Sequence, residues 1–212
     1  MLRIDTLTFS DFQINTYIIS GENKECYIVD PGCYYDLEKE KLKKFIQENK
    51  YIPKLIINTH GHIDHIFGDS FVKNEYNLKI AANKLDEPLM QSALLQAQLF
   101  GLDFNTIPKI DEYIDENSIL ELDNEKIKIL FVPGHSPGSI ALYSESSNFV
   151  IAGDVLFKSS IGRTDLMGGN YETIINSIKT KLLSLNDKVI VYPGHGQSTT
   201  IGIEKRTNPF LI

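Results

Sequence analysis

Thr59-His60-Gly61-His62-Ile63-Asp64-His65 carries three of the five histidines of this 212-residue chain, with an aspartate set between them. In an extended or looped segment the side chains at 60, 62 and 64 project to one side while 65 turns away. One short stretch can therefore present ligands to two adjacent metal ions. A pair of histidines one helical turn apart could not do this. Lys54 to Asn58, a compact apolar strand, leads into the stretch, and Gly68 to Tyr76 reads as the helix that follows it.

Working outward, the other two histidines repeat one local device, in Val132-Pro133-Gly134-His135 and Tyr192-Pro193-Gly194-His195. A buried strand ends, a Pro-Gly turn follows, and an imidazole is presented. Asp154 arrives in the same way after Val150-Ile151-Ala152-Gly153. A carboxylate placed there can bridge two cations with its two oxygens and so lower their mutual repulsion. Taken alone, His135 or His195 is more often a hydrogen-bonded core or surface group, and Gly-Asp is ordinary turn chemistry. The joint pattern outweighs that reading. It makes His60, His62, Asp64, His65, His135, Asp154 and His195 the metal-ligand candidates.

The rest of the chain alternates strands and helices. Leu2 to Phe9, Asn15 to Ile19 and Tyr27 to Val29 read as strands, and the last stops at the turn Asp30-Pro31-Gly32. Leu37, Leu42, Phe45 and Ile46 recur at helical spacing, and charge runs such as Glu38 to Lys44 read as a solvated helix face. Leu85 to Phe100 reads as one Leu- and Gln-rich helix, with Asn83 to Asp115 as a helical flap and its return loop. Leu120 to Leu122, Lys126 to Val132, Ile140 to Ser144 and Phe149 to Ala152 return to strand. Tyr171 to Leu185 is an amphipathic helix capped by Asn170, Val189 to Tyr192 is a last buried strand, and Thr199 to Arg206 is a terminal helix. The two halves echo each other. The expectation is an α/β chain of two mixed sheets face to face with helices outside, as one domain over 1–212.

Composition narrows the partners. Apolar residues at 42% and charged residues at 23% are near the globular average. A net charge of -7, from 28 carboxylates against 21 Lys and Arg, argues against a nucleic-acid partner. No apolar run is long enough to cross a bilayer, and the start lacks a basic stretch followed by an apolar core, so no membrane partner is expected. Cys26 and Cys33 read as free packed thiols in a reducing compartment, which places the chain in the cytoplasm. A small-molecule substrate remains; the oligomeric state does not follow from sequence.

These motifs resemble the metallo-β-lactamase-fold hydrolases, and more closely their short glyoxalase II-like branch. The resemblance is carried by Asp30-Pro31-Gly32, the 59–65 stretch, Pro133-Gly134-His135-Ser136-Pro137-Gly138-Ser139, Gly153-Asp154-Val155-Leu156-Phe157, Gly162-Arg163-Thr164-Asp165 and Tyr192-Pro193-Gly194-His195-Gly196. It implies a four-layer αββα sandwich with two divalent metals at one edge. Zinc is the default, with iron or manganese as alternatives. It assigns His60, His62 and His135 to one metal and Asp64, His65 and His195 to the other, with Asp154 bridging and Asp30 orienting a ligand from behind. It also implies departures. The glutathione-binding helical domain of full-length glyoxalase II has no counterpart in the 17 residues after His195. The glutathione-contacting turn keeps one basic residue, Arg163, a candidate for a substrate carboxylate or for a structural pair with Asp165.

Such a site implies hydrolysis. Two cations sharing a water bring its pKa toward neutrality and polarise a carbonyl, so a metal-bridging hydroxide is the expected nucleophile, with Asp64 and Asp154 as the catalytic carboxylates. No strong general acid is visible beyond the ligands, which favours a thioester such as S-lactoylglutathione, because a thiol leaves as thiolate. Three alternatives stand beside this. Persulfide dioxygenases share much of the pattern but bind one iron through two histidines and an aspartate. A lactonase or phosphodiesterase could use the same centre, although the acidic chain carries no basic arm. Metals that only staple the fold would more commonly sit in a closed, Cys-rich site. Flavin-linked di-iron reductases of this fold usually carry glutamate where His62 stands.

Overall fold

Alternation along the central strands decides which side chains meet. In the computed structural model, which describes residues 1–212, six strands form a first sheet in spatial order as in the chain: β1 (Arg3–Phe9), β2 (Ile14–Ser20), β3 (Glu25–Val29), β4 (Ile52–Ile57), β5 (Ile80–Ala82) and β6 (Glu112–Tyr113). Strands β1 to β3 are an antiparallel meander, and β3 to β6 run parallel. The second half supplies β7 (Ile119–Leu122), β8 (Glu125–Phe131), β9 (Ile140–Ser144) and β10 (Phe149–Gly153), then a small hairpin of β11 (Leu156–Phe157) and β12 (Ser160–Ile161), then β13 (Ile190–Pro193) and β14 (Thr199–Thr200). Apart from that hairpin these form a second sheet in the order β14-β13-β10-β9-β8-β7, mixed in the same sense, with only β10 and β13 parallel.

Odd and even positions of each strand serve different layers. Tyr17, Ile19, Val29, Leu55 and Ile57 point inward and meet Leu120, Ile127, Ile129, Ile140, Leu142, Phe149 and Ile151 of the facing sheet. Their alternates Ile18, Ile28, Ile56 and Ile80 point outward, onto Leu42 and Ile46 of α1 (Asp36–Glu48) and Val72 of α2 (Asp69–Tyr76). Across the molecule Ala141, Val150, Ala152 and Val191 also turn outward. They pack with Ile174, Ile178, Leu182 and Ile201 of the segment after residue 170. The result is the expected αββα sandwich. No helix is long and apolar enough to cross a membrane.

Several boundaries differ from the sequence reading. The expected helix over 85–100 is broken. A 3-10 turn, Lys84–Asp86, precedes α3 (Glu87–Gln91), and α4 (Ala93–Phe100) starts afresh after Ser92. The Ser92 hydroxyl donates to Leu89 O at 2.7 Å, and its backbone leaves the helical region with ψ 4°. A local side-chain bond there competes with the helical ladder. The helix expected over 171–185 is α-helical only as α5 (Tyr171–Ser177), capped by Asn170 Oδ1, which accepts from Thr173 N–H at 2.9 Å. A wider π turn, Ile178–Leu182, follows and keeps Ile178 and Leu182 buried beneath it. The terminal helix α6 spans Ile201–Thr207, and Thr199–Thr200 joins the sheet instead. Strands β6, β11, β12 and β14 are two residues each, too short to show alternation.

Cys26 and Cys33 are both fully buried, and burial pushes each thiol up to about 12. The thiolate is the reactive form. At pH 8 the folded protein is expected to release no colour from an aromatic disulfide reagent within minutes, and to titrate two thiols once guanidinium unfolds it. A thiol that reacts rapidly in the native protein would contradict this packing.

Candidate metal centre

The ligand candidates sit where strands of the two sheets end. Asp30 follows β3, and its φ of 49° places a non-glycine residue in the left-handed region, at a cost of about 1–2 kcal/mol. The turn is held from both sides: Thr16 Oγ1–H donates to Asp30 O at 2.7 Å, and Gly32 N–H donates to Thr16 Oγ1 at 2.9 Å. The turned carboxylate is fully buried. Its Oδ1 accepts from Thr59 N–H at 2.7 Å, and its Oδ2 accepts from Thr59 Oγ1–H at 2.6 Å and faces His65 Nδ1 at 3.0 Å. After β4 the chain bends at Thr59 and His60, is extended at His62, and then closes into a 3-10 turn at Ile63–His65. That turn swings Asp64 and His65 toward Asp154 and His195.

The two Pro-Gly-His turns are fixed by close approach. At Gly134, φ is +128° and a Cβ would collide with the Ile174 backbone; at Gly194 a Cβ would collide with Asp154 Oδ1. Only glycine fits either place. His135 Nδ1–H donates to Arg163 O at 2.8 Å, and His195 Nδ1–H donates to Phe12 O at 2.8 Å. Each carbonyl selects the tautomer whose Nε2 lone pair points inward. The His195 turn is further tied to β2, because Tyr17 O–H donates to Pro193 O and Asn15 Nδ2–H donates to Pro193 O and Gly196 O.

The structure brings all seven candidates into one cluster. Three sets have donor atoms within 4.8 Å of one another: His60, His62 and His135; His60, His65 and Asp154; Asp64, His65 and His195. His62 Nδ1 and His135 Nε2 are 2.9 Å apart. Asp154 lies between the sets, with Oδ1 at 3.4 Å from His65 Nε2 and Oδ2 at 3.6 Å from His135 Nε2 and 3.5 Å from His195 Nε2. Asp64 Oδ2 is 3.2 Å from His195 Nε2. Burial, reinforced by the neighbouring imidazoles, drives His60 well below the ordinary histidine range and His62 to about 3, so both rings are neutral donors. Burial pushes the Asp154 carboxyl up, but His65, His135 and His195 outweigh it and hold it low. For His65 burial opposes charge, and the carboxylates of Asp154, Asp64 and Asp30 overcome it and raise it.

His60 Nε2, His62 Nε2, His65 Nε2 and Asp154 Oδ1 are buried without a hydrogen-bond partner. Leaving such atoms unpaired costs about 1–3 kcal/mol each, and four in one cluster is what a site for cations requires. The set of nitrogen and carboxylate-oxygen donors fits divalent first-row ions. The centre also opens outward, onto a cavity of about 370 Å³ beside His62 and Asp64 and another of about 460 Å³ beside Phe157 and Lys158. Arg163 borders both cavities. Its guanidinium makes a two-pronged pair with Asp165, both contacts at 2.8 Å, so this residue reaches the cluster through its carbonyl alone.

Sequence reasoning missed the residues that hold these loops. Asp86, in the flap, is fully buried. Its Oδ2 accepts from Gly61 N–H at 2.9 Å and Ser136 Oγ–H at 2.6 Å, and its Oδ1 accepts from Gly138 N–H at 2.5 Å. One carboxylate thus ties the His60–His62 loop to the His135 loop. Locally Asp86 looks like a charged residue of a helix start, and only Gly61, Ser136 and Gly138 as distant partners reveal it. Asp86→Ala strands three buried donors. It is expected to lower unfolding free energy by roughly 2–4 kcal/mol in denaturant titration, with a parallel loss of metal uptake. Unchanged stability and metal content would refute the bracing role.

The model of the metallo-beta-lactamase superfamily matches residues 10–195. The hydroxyacylglutathione hydrolase GloC of Haemophilus influenzae is 41% identical over 99% of this chain and 98% of its own length. Among solved structures, that of TTHA1623 in a di-iron-bound form superposes with a TM-score of 0.88 at 36% identity, covering 98% of this chain and all of that one. The BLEG-1 B3 metallo-beta-lactamase does so with a TM-score of 0.88 at 32% identity, covering 99% of each chain.

Proposed function

The chain belongs to the metallo-beta-lactamase superfamily, as a metallo-hydrolase, and from that premise we propose that it is a binuclear thioesterase acting on small acyl thioesters in the cytoplasm. The observation that carries the reading is the position of Asp154, whose two oxygens face His65 on one side and His135 and His195 on the other. In this reading His60, His62 and His135 would hold one cation, Asp64, His65 and His195 would hold the second, and Asp154 would serve both. Zinc is the default, and the di-iron form of TTHA1623 supports iron as an alternative alongside manganese. Two such cations supply, when bound, a water of lowered pKa and a Lewis-acid contact for a carbonyl oxygen.

The protein's own residues do the rest. Asp30, Arg163 O and Phe12 O hold His65, His135 and His195 in fixed orientations, so the centre needs little reorganisation. Beyond the ligand candidates, the two cavities are lined by only two charged side chains, Lys158 and Arg163. Lys158 donates to Gln197 Oε1 and Arg163 is committed to Asp165, so no free weak acid stands ready to protonate an amide nitrogen. A thiol, with a pKa near about 8.5, leaves without that help. The relation to a hydroxyacylglutathione hydrolase supports the same bond type.

A second reading has a specific observation in its favour: Asp154 Oδ2 lies 3.6 Å from His135 Nε2 and 3.5 Å from His195 Nε2, two imidazoles and one carboxylate of the kind that suits a single iron. Metal analysis of protein purified without added metal separates the two. Two ions per chain together with S-lactoylglutathione hydrolysis are expected, and one iron with oxygen uptake on a persulfide would displace the thioesterase reading. Asp154→Ala and His62→Ala are expected to lose at least about 100-fold in kcat/KM while keeping the native circular dichroism spectrum. Undiminished turnover in either variant would refute the assigned centre.

A further inference from the structure

The cavity of about 370 Å³ has a wall that the chemistry just proposed does not use. Helix α4 reads Ala-Leu-Leu-Gln-Ala-Gln-Leu-Phe, apolar around most of its circumference. Ala93 and Ala97 pack down among Ile63, Ile66 and Phe67. Gln96 clamps the helix to the ligand turn, its Oε1 accepting from Ile63 N–H at 3.1 Å and its Nε2–H donating to Leu89 O at 2.9 Å. That leaves Leu95, Leu99 and Phe100 exposed by 58%, 76% and 51%, with Met167 at 59%, all lining the cavity together with His62, Asp64, Asp154 and His195.

Phe12 joins this wall to the centre. Its ring meets Phe100 edge-on at 5.5 Å, and its carbonyl holds His195. The one cation on the cavity's lining, Arg163, is neutralised by Asp165. Large apolar side chains gathered in the open and continuous with a reactive centre mark a surface shaped for a ligand. The polar side chains on the same lining, Ser92 and Gln96, are taken up by Leu89 O, Ile63 N–H and each other, so this wall offers no free partner to a charged or hydroxyl-bearing group.

We propose that this wall is an acyl pocket, and that the preferred substrates are thioesters whose acyl part is an unbranched, uncharged chain of several carbons. The inference rests on the thioesterase reading for its reaction but on α4 for its selectivity. The thiol part, which in biological thioesters carries the amides and charges, then extends toward the second cavity, where Lys158, Ser160 and Gln197 offer polar contacts.

The test uses the metal-bearing protein as purified and the N-acetylcysteamine thioesters of acetate, butyrate and hexanoate. kcat/KM is expected to rise by about fourfold per added methylene. Replacing two exposed residues together, Leu95→Ser and Leu99→Ser, is expected to flatten that rise. A second series, calorimetric binding of free butyrate, hexanoate and octanoate, needs no turnover and is expected to tighten with chain length in the wild type alone. If no thioester is hydrolysed, the thioesterase reading fails, and the carboxylate series alone then decides the pocket. Equal kcat/KM along the first series with equal affinities along the second overturns the pocket. So does a wild-type dimer that the double substitution splits while neither series changes, since α4 would then be covered by a second copy.

Discussion

Five imidazoles and two buried or half-buried carboxylates crowded into one cluster cannot satisfy one another, and the molecule is arranged around that constraint. Each of three rings turns one nitrogen outward to a fixed oxygen: His65 to Asp30, His135 to the carbonyl of Arg163, and His195 to the carbonyl of Phe12. On the inward side, Nε2 of His60, His62 and His65 is buried without a partner. The inward side is therefore costly, and the outward side supplies the rigidity that keeps it in place. Asp30 shows the expense most plainly, since its left-handed backbone is tolerated to direct one carboxylate at Thr59 and His65 together.

The repeated architecture explains why the donors meet. In each half an antiparallel pair leads into a parallel crossover, β3 to β4 in the first sheet and β10 to β13 in the second. Asp30 and Asp154 follow the first strand of each crossover, and the 59–65 stretch and His195 follow the second. Because the sheets face each other, these strand ends converge on one edge. Thr59 O accepts from Ile140 N–H at 2.9 Å, a backbone bond that joins the sheets beside the cluster.

Much of this is legible in the chain, and the parts that are not share a cause. Strands such as Ile14–Ser20 and Phe149–Gly153 announce themselves because both faces are buried and β-branched, aromatic or other apolar residues dominate them. The ligand candidates are legible because their spacing and the Pro-Gly turns are local. Asp86 is invisible for the opposite reason: its partners lie 25, 50 and 52 positions away, and only the folded chain assembles them. The break at Ser92 was missed because Leu85 to Phe100 keeps a helical composition across it, and one hydroxyl bond to Leu89 O decides the outcome. The two-residue strands carry too few positions for any periodicity to register.

The break at Ser92 divides the flap into parts with different obligations. Upstream, Asp86 is bonded into both histidine loops, so change there disturbs the centre itself. Downstream, α4 buries only two alanines and is held to the ligand turn chiefly by Gln96. Substitutions at the exposed positions of the outer helix therefore reshape the mouth of the cleft while leaving the donors and their braces untouched. One serine thus separates a segment bound into the centre from two turns of helix that only border it.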